Sequence, residues 1–442
     1  MNLIDFLNAS PVNYLAVATL EEQLQAAGFI KIDPTKPMPD LKTGDKLYVT
    51  KNDSSIYAFR LGTKPLGETG IRLICAHCDS PTFRIKPNPE IQMEKGFVKL
   101  NTELYGGAIM STWFDRPLSL AGRVMLRTTD PLHPQTRLLH IKEPILIIPN
   151  LAIHFNRQVN DGVKLSKQKD MLPVLGIIDE QLSANSLLLG LIASHLDVDV
   201  EDILDFDLYL YDTTPACEVG LNKEFISAGR LDDLSMVHAG LQAMLGLIVD
   251  EVKTKENQQQ TMVLAIFDNE ETGSGTKQGA GSPFFSQMLQ RLVIAQGKAL
   301  GLNSDPLDDY YRMIENSFMV SADNAHAWHP NYGEKMDPTN HPVLGGGPII
   351  KVNAAQKYAT DADGAAVFGE ICRRAGVPYQ RFVNHSDIAG GSTLGNILTG
   401  SLPFRGVDMG NGVWGMHSIR ETGSVKDQEY VIKAFSEFFW NS

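Results

Sequence analysis

Hydrophobic positions recur at helical spacing from Leu3 to Ala27, and Tyr48 to Leu61 then reads as paired strands around the turn Asn52-Asp53-Ser54-Ser55. The run Ile71-Arg-Leu-Ile-Cys-Ala76 is short, mostly apolar and bounded by Gly70 and by polar residues, as a buried strand should be, and His77 and Asp79 follow at its end. Between about Pro81 and Pro215 the texture changes to short alternating runs broken by turns, such as Phe97-Val-Lys-Leu, Gly122-Arg-Val-Met-Leu and Ile145-Leu-Ile-Ile, and helical periodicity is scarce until Leu182. Beyond it, Phe225 to Val249 is helical in pattern, whereas Thr261-Met-Val-Leu-Ala-Ile-Phe267 and Phe318-Met-Val-Ser321 are further buried strands, each followed at once by polar residues.

Strands alternating with helices predict an α/β fold with a mixed, mainly parallel sheet flanked by helices, and such sheets place ligands beyond the carboxyl ends of their strands. The strand-rich block predicts an inserted β-rich domain over residues 83–215. Residues 1–82 and 216–442 then form one discontinuous domain around it. At 442 residues, 43% of them hydrophobic, the chain is long enough for both cores.

Charge narrows the choice of partner. The formal net charge is −13, with lysines and arginines scattered rather than clustered, so neither nucleic acid nor an anionic membrane surface is an expected partner. No run of 18 apolar residues occurs, and the opening MNLIDFLNAS has no basic stretch leading into an apolar one, so neither a membrane span nor a secretion signal is expected. Four dispersed cysteines, Cys75, Cys78, Cys217 and Cys372, do not make a disulfide framework and fit a reducing cytoplasm. The stretch Gly345-Gly-Gly347 lacks the lysine and helix start of a phosphate-binding loop and reads as an ordinary loop.

Chemistry concentrates in five segments: Ala76-His-Cys-Asp-Ser-Pro81, Gly229-Arg-Leu-Asp-Asp233, Phe267-Asp-Asn-Glu-Glu-Thr-Gly-Ser274, Ser321-Ala-Asp-Asn-Ala-His-Ala-Trp-His-Pro330 and Gly415-Met-His-Ser-Ile-Arg-Glu421. Singly, His77 reads equally as a core histidine, Asp232-Asp233 as a helix cap, Glu270-Glu271 as solvated loop charge, Asp323 as a turn residue and His417 as a surface residue. Jointly they offer imidazole and carboxylate donors in the proportion that a pair of divalent ions needs, about five ligands with one carboxylate bridging.

In this order the five segments resemble the signature of the M18 aspartyl aminopeptidase family of metallopeptidases, and the resemblance extends to Pro149-Asn-Leu-Ala-Ile-His154, Lys351-Val-Asn-Ala-Ala-Gln-Lys-Tyr-Ala-Thr360 and Gly390-Gly-Ser-Thr-Leu-Gly395. It implies a zinc-peptidase-like catalytic domain with an inserted dimerisation domain. It makes His77, Asp232 and Asp323 the ligands of one ion and Asp232, Glu271 and His417 those of the other, with Glu270 the general base toward the metal-activated water. Asp79 lies two residues beyond His77, on the same side of an extended segment, and is expected to orient the imidazole or tune the base.

The implied cofactors are two divalent ions per subunit, zinc first and manganese or cobalt as alternatives, with no organic cofactor. The implied substrates are peptides with N-terminal Asp or Glu, met by Lys351 and Tyr358 in the pocket. His154 resembles the histidine that reaches from the inserted domain into a neighbouring active site, which implies a homo-oligomer, and relatives form tetrahedral dodecamers. The chain departs from the family pattern at Cys78, where threonine is usual, at Asn269-Glu-Glu-Thr272, where His-Glu-Glu-Ile is common, and at Ala389-Gly390, where Pro-Cys often stands. No ligand position is lost.

His326 and His329 flank Asp323 as candidate site residues, whereas His133, His195 and His238 read as structural or exposed. Two other functions compete: a neutral- or broad-specificity aminopeptidase or related amidohydrolase using the same ligands, and a catalytically silent shell protein. The need for a free N-terminal amine separates the first from the expected enzyme, and an intact Glu270 argues against the second.

Overall fold

The computed structural model describes residues 1–177, 187–246 and 258–440, and among them nine strands make the central sheet. Its middle is parallel, in the order Thr261–Phe267, Ile71–His77, Phe318–Ala322, Arg405–Gly410. Ser55–Arg60 and Lys46–Lys51 extend it antiparallel on one side, with Ile30–Lys31 parallel at the edge. On the other side Ile349–Lys351 runs antiparallel to Arg405–Gly410 and Gln380–Phe382 runs parallel to it in turn. The sheet is therefore mixed and mainly parallel, as its alternating pattern predicts.

Thr261–Phe267 and Phe318–Ala322 are buried along their whole length, which explains why they are apolar on both faces rather than alternating. Helices Leu231–Leu245, Ala362–Arg374 and Val425–Trp440 cover one face, setting Val237, Phe368 and Phe435 into one core with Ile74, Leu264 and Val320. Helices Phe284–Ala299 and Pro306–Glu315 cover the other, with Leu289 and Met313 sharing a core with Leu73, Val263 and Met319. Each such side chain contributes roughly 1.5–3 kcal/mol by leaving water, which makes the sheet a rigid platform for whatever its strand ends carry.

Two of the helical expectations need correction. The N-terminal helical run is two helices, Leu3–Ala9 and Asn13–Ala26, broken at Ser10-Pro11 because proline has no N–H to donate and disfavours helix in the residue before it. The run from Phe225 is not helical at its start. Phe225–Ala228 is a strand paired with Glu421–Ser424, and the helix begins at Leu231, after Arg230 takes a left-handed conformation at φ 62. Val249, its expected end, lies outside the described residues.

The block after Ala76-His-Cys-Asp-Ser-Pro81 folds as a six-stranded antiparallel sheet in the order Gln135–His140, Leu118–Leu126, Ile203–Asp212, Thr82–Gln92, Phe97–Tyr105, Val174–Ile177. It has its own core, in which Phe83, Leu100, Trp113, Leu120 and Leu210 pack with Ile192 of helix Leu187–Leu196. Leu182, where the helical pattern starts, lies outside the described residues. Ile145 to Ile148 forms isolated bridges from Leu146 and Ile147 rather than a strand. Gly345-Gly-Gly347 is a loop whose Gly345 and Gly347 N–H groups donate to Asp427. Among the described residues no helix is long and apolar enough to cross a membrane.

Candidate metal centre

Three neighbouring parallel strands end in donor residues. His77 is the last residue of Ile71–His77, Glu270 and Glu271 follow Thr261–Phe267 in a single 3-10 turn, and Asp323 follows Phe318–Ala322. Asp323 lies close against the next strand: its N–H donates to Met409 O, and a Cβ on Gly410 would stand 2.0 Å from Asp323 O. Only glycine fits there. Asp232 opens helix Leu231–Leu245 with non-helical angles, φ −81 and ψ 107, and its peptide bond to Asp233 is cis. His417 sits in the loop before Glu421–Ser424 with φ 68.

These elements bring all five expected ligands together. His77 Nε2 lies 3.7 Å from Asp232 Oδ1, and His417 Nε2 lies 3.4 Å from both Asp232 Oδ2 and Glu271 Oε1. Donor atoms within 4.8 Å of one another fall into three groups: His77, Asp232, Asp233 and Asp323; His77, Glu270 and Glu271; and Asp232, Glu271 and His417. The second and third leave Glu271 shared, and the first and third share Asp232. Asp232 Oδ1, Asp233 Oδ1 and Glu271 Oε1 are buried without a hydrogen-bond partner. Unpaired carboxylate oxygens in a dry site are costly unless a cation meets them, so this donor set fits divalent ions that accept imidazole nitrogen and carboxylate oxygen.

Electrostatics agree with that reading. Burial pushes Glu270 up to about 8, against the pull of His77 and with added repulsion from Asp323, Asp79 and Asp232. Burial and the neighbouring Asp232 hold Glu271 well above the ordinary carboxylate range, and burial raises Asp323 despite Lys351. Asp232 departs from this trend: burial opposes its ionisation, yet the two imidazoles keep it below the usual value.

Hydrogen bonds around the donors fix their orientation. His77 Nδ1 donates to the Asp79 carbonyl at 3.0 Å and His417 Nδ1 to the Gly107 carbonyl at 3.2 Å, so each Nε2 is left free to coordinate. Asp79 also accepts the N–H groups of Glu270 and Glu271 at 3.1 Å, and the Tyr105 hydroxyl at 2.7 Å. It therefore holds the turn as well as lying beside the imidazole, with its Oδ1 3.4 Å from His77 Nδ1. The backbone there is irregular, with Asn269, Gly273 and Ser274 all left-handed, which lets adjacent glutamates point to different tasks. Asn269 is tied down by its side chain, donating to Tyr105 Oη and accepting from Thr276 and Gln278.

Beside the donors is a cavity of about 220 Å³ lined by Asp232, Glu270, Asp323, His326, Lys351 and Tyr358 among others. Lys351 is buried, 3.3 Å from Asp323 Oδ2, donates to Asn324 O at 3.2 Å, and stands 5.3 Å from the Tyr358 ring centre. Burial works to discharge this ammonium, but Asp323 holds its pKa above the ordinary lysine value. His326 joins the cavity, whereas His329 packs at a tilt against the Tyr332 and Trp414 rings instead. His154 is exposed and does not line the cavity within one subunit. His238 is buried against Met1 O and Gln428, His195 bonds Leu191 O, and His133 pairs with Asp130 at the surface. Cys75 and Cys78 are buried free thiols.

Four contributors stand outside the expected set. Asp233 accepts the His77 N–H at 3.2 Å, Asn324 donates to Leu231 O and fixes the helix start, Tyr105 reaches Asp79 from the six-stranded sheet, and Glu421 accepts from Asp232 and His417. Asp233, Asn324 and Glu421 lie inside the chemical segments, but nothing local distinguishes them from solvated neighbours. Tyr105 carries no sequence signal, because its contact depends on how two sheets meet.

A profile of the family described as "Aminopeptidase I zinc metalloprotease (M18)" matches residues 6–439. The chain is similar to a probable M18 family aminopeptidase 2 of Clostridium acetobutylicum, 49% identical over 437 residues covering 99% of this chain and 97% of that protein. Its fold is similar to that in a cryo-EM structure of the Ape4 and Nbr1 complex, with TM-score 0.93 and 36% identity over 99% of this chain and 84% of that one. It is also similar to a structure of the S. cerevisiae mApe1 dodecamer, with TM-score 0.84 and 26% identity over 99% of this chain and 95% of that one.

Proposed function

The chain belongs to the M18 family of zinc aminopeptidases, and from that premise we propose that it is a two-metal aminopeptidase that releases N-terminal Asp and Glu from peptides. The observation that carries this reading is the pair of donor groups sharing Asp232, with buried, unpartnered oxygens on Asp232 and Glu271. His77, Asp232 and Asp323 would hold one ion, and Asp232, Glu271 and His417 the other. When bound, such ions supply Lewis acidity toward the scissile carbonyl and the attacking water. Glu270, beside both groups and needed as a ligand by neither, takes the proton from the water and returns it to the leaving amine. Asp79 keeps that carboxylate in place through the Glu270 and Glu271 N–H groups.

Lys351 is the cation in the cavity, and its remaining N–H is the proposed contact for an acidic substrate side chain, with Tyr358 alongside. The exposed His154 would complete the active site of a neighbouring copy, so residues 83–215 are assigned as the oligomerisation domain and the assembly as a homo-oligomer, with a tetrahedral dodecamer as its proposed form. The mApe1 dodecamer supports that assembly. The four free cysteines support a cytoplasmic location. A neutral specificity is the second reading: Lys351 already serves Asp323 and Asn324, and Phe382 and Met416 give the cavity apolar walls.

The deciding assay is hydrolysis of Asp-, Glu-, Leu- and N-acetyl-Asp-para-nitroanilide with and without chelator and added metal. Metal-dependent release from Asp and Glu alone is the expected result. Release from Leu favours the neutral reading, release from the acetylated substrate an amidohydrolase, and no release at all contradicts the enzyme.

A further inference from the structure

We propose that Glu421 is a positioning residue that ties Asp232 to His417 and so sets the His417 side of the metal centre more strongly than the His77 side, which it meets only through Asp232; the inference rests on the two-ion reading above. Glu421 opens the strand Glu421–Ser424 opposite Ala228, and its side chain turns inward with 2% exposure. Oε2 accepts the Asp232 N–H at 3.0 Å and Oε1 accepts the His417 N–H at 2.8 Å. Among the described residues it has no ion-pair partner, so these two N–H bonds are what the geometry offers a carboxylate buried at high cost.

The two oxygens of a carboxylate are a fixed distance apart and coplanar, so one side chain sets the separation and tilt of two backbone segments that come from opposite parts of the chain. Both segments need such help. Asp232 leaves the helical conformation at the start of its helix, and His417 adopts a left-handed φ of 68 that a non-glycine residue rarely takes without support. His77 and Asp323 receive nothing from Glu421: Asp79 and Asp233 hold the first, and Met409 O and Lys351 hold the second.

Glu421→Gln keeps the shape but gives one amide N–H an NH₂ group instead of an acceptor. Zinc titrated into the metal-stripped full chain, followed by calorimetry, should show two ions in the unsubstituted protein. In Glu421→Gln the ion on the His417 side should weaken roughly 10- to 100-fold, as outer hydrogen-bond partners of metal ligands typically do, and the other ion, which meets Glu421 only through Asp232, should weaken less. His417→Ala should lose that same ion, and adding Glu421→Gln to it should weaken the remaining ion less than Glu421→Gln alone weakens the ion on the His417 side. Glu421→Asp, which keeps the charge and shortens the reach, should show the same selective loss in smaller measure, and it serves as the test if the glutamine variant does not fold. Unchanged binding of both ions, or equal weakening of both, overturns the proposal. One ion in the unsubstituted protein overturns the two-ion reading itself.

Discussion

His77 and Asp323 leave adjacent parallel strands and are almost wholly buried, whereas Glu271 and His417 stand in an irregular turn and a loop, and His417 keeps 30% of its side chain exposed. The first half of the centre takes its rigidity from the sheet core, where close packing leaves strand ends little freedom. The second half takes its shape from hydrogen bonds that cross between elements: Asp79 to the Glu270 and Glu271 amides, Gly107 O to the His417 ring, and Glu421 to two backbone amides. The proposed metal centre therefore has a half that folds with the core and a half that depends on loops being held.

Asp232 belongs to both halves, so Asp232→Asn should have the largest effect, losing both ions by metal analysis and turnover below detection. Retention of either ion would break the idea of a shared ligand. Glu270→Gln should lower turnover about 10²- to 10⁴-fold, the usual contribution of a general base, while both ions stay bound. Loss of metal in that variant would make Glu270 a ligand and redraw the division between the halves.

Chelation should separate the halves directly. The ion on the partly exposed His417 side should leave first, so that activity vanishes while one ion per subunit remains in the dialysed protein. Simultaneous loss of both would contradict the distinction.

The smallest effect concerns pH. In metal-free protein, burial raises both Glu270 and Glu421 to about 8 from an ordinary 4.5, so the folded state binds more protons than the unfolded one between those values. Its stability should be fully present below about pH 4.5 on account of these groups and fall as pH rises through about 8. A zinc cation beside these two carboxyls favours their ionised forms, so the gain in thermal midpoint on adding zinc should grow from pH 6 to pH 8. A gain that is flat or shrinking with pH would count against the buried carboxylates as its source.

Much of this site was legible in the sequence because the sheet itself is. Thr261–Phe267 and Phe318–Ala322 are apolar apart from Thr261 and Ser321, and a polar residue directly after such a run falls at the carboxyl end of a buried parallel strand, where sites form. The loop half was legible only through its family resemblance, since nothing local marks His417 as different from a surface histidine. What stayed hidden depends on distant parts meeting: Tyr105 on Asp79, and Glu421 between Asp232 and His417. The misread helix start at Phe225 shows the same limit, because a short strand and a helical turn have similar apolar patterns until a partner such as Glu421–Ser424 is known.

The most direct test of the two-ion centre is anomalous diffraction at the zinc edge from crystals grown with zinc. Two peaks roughly 3.5–4 Å apart with Asp232 between them, one beside His77 and Asp323 and the other beside Glu271 and His417, are the expected result. A single peak, or peaks that do not include Asp232, would contradict it.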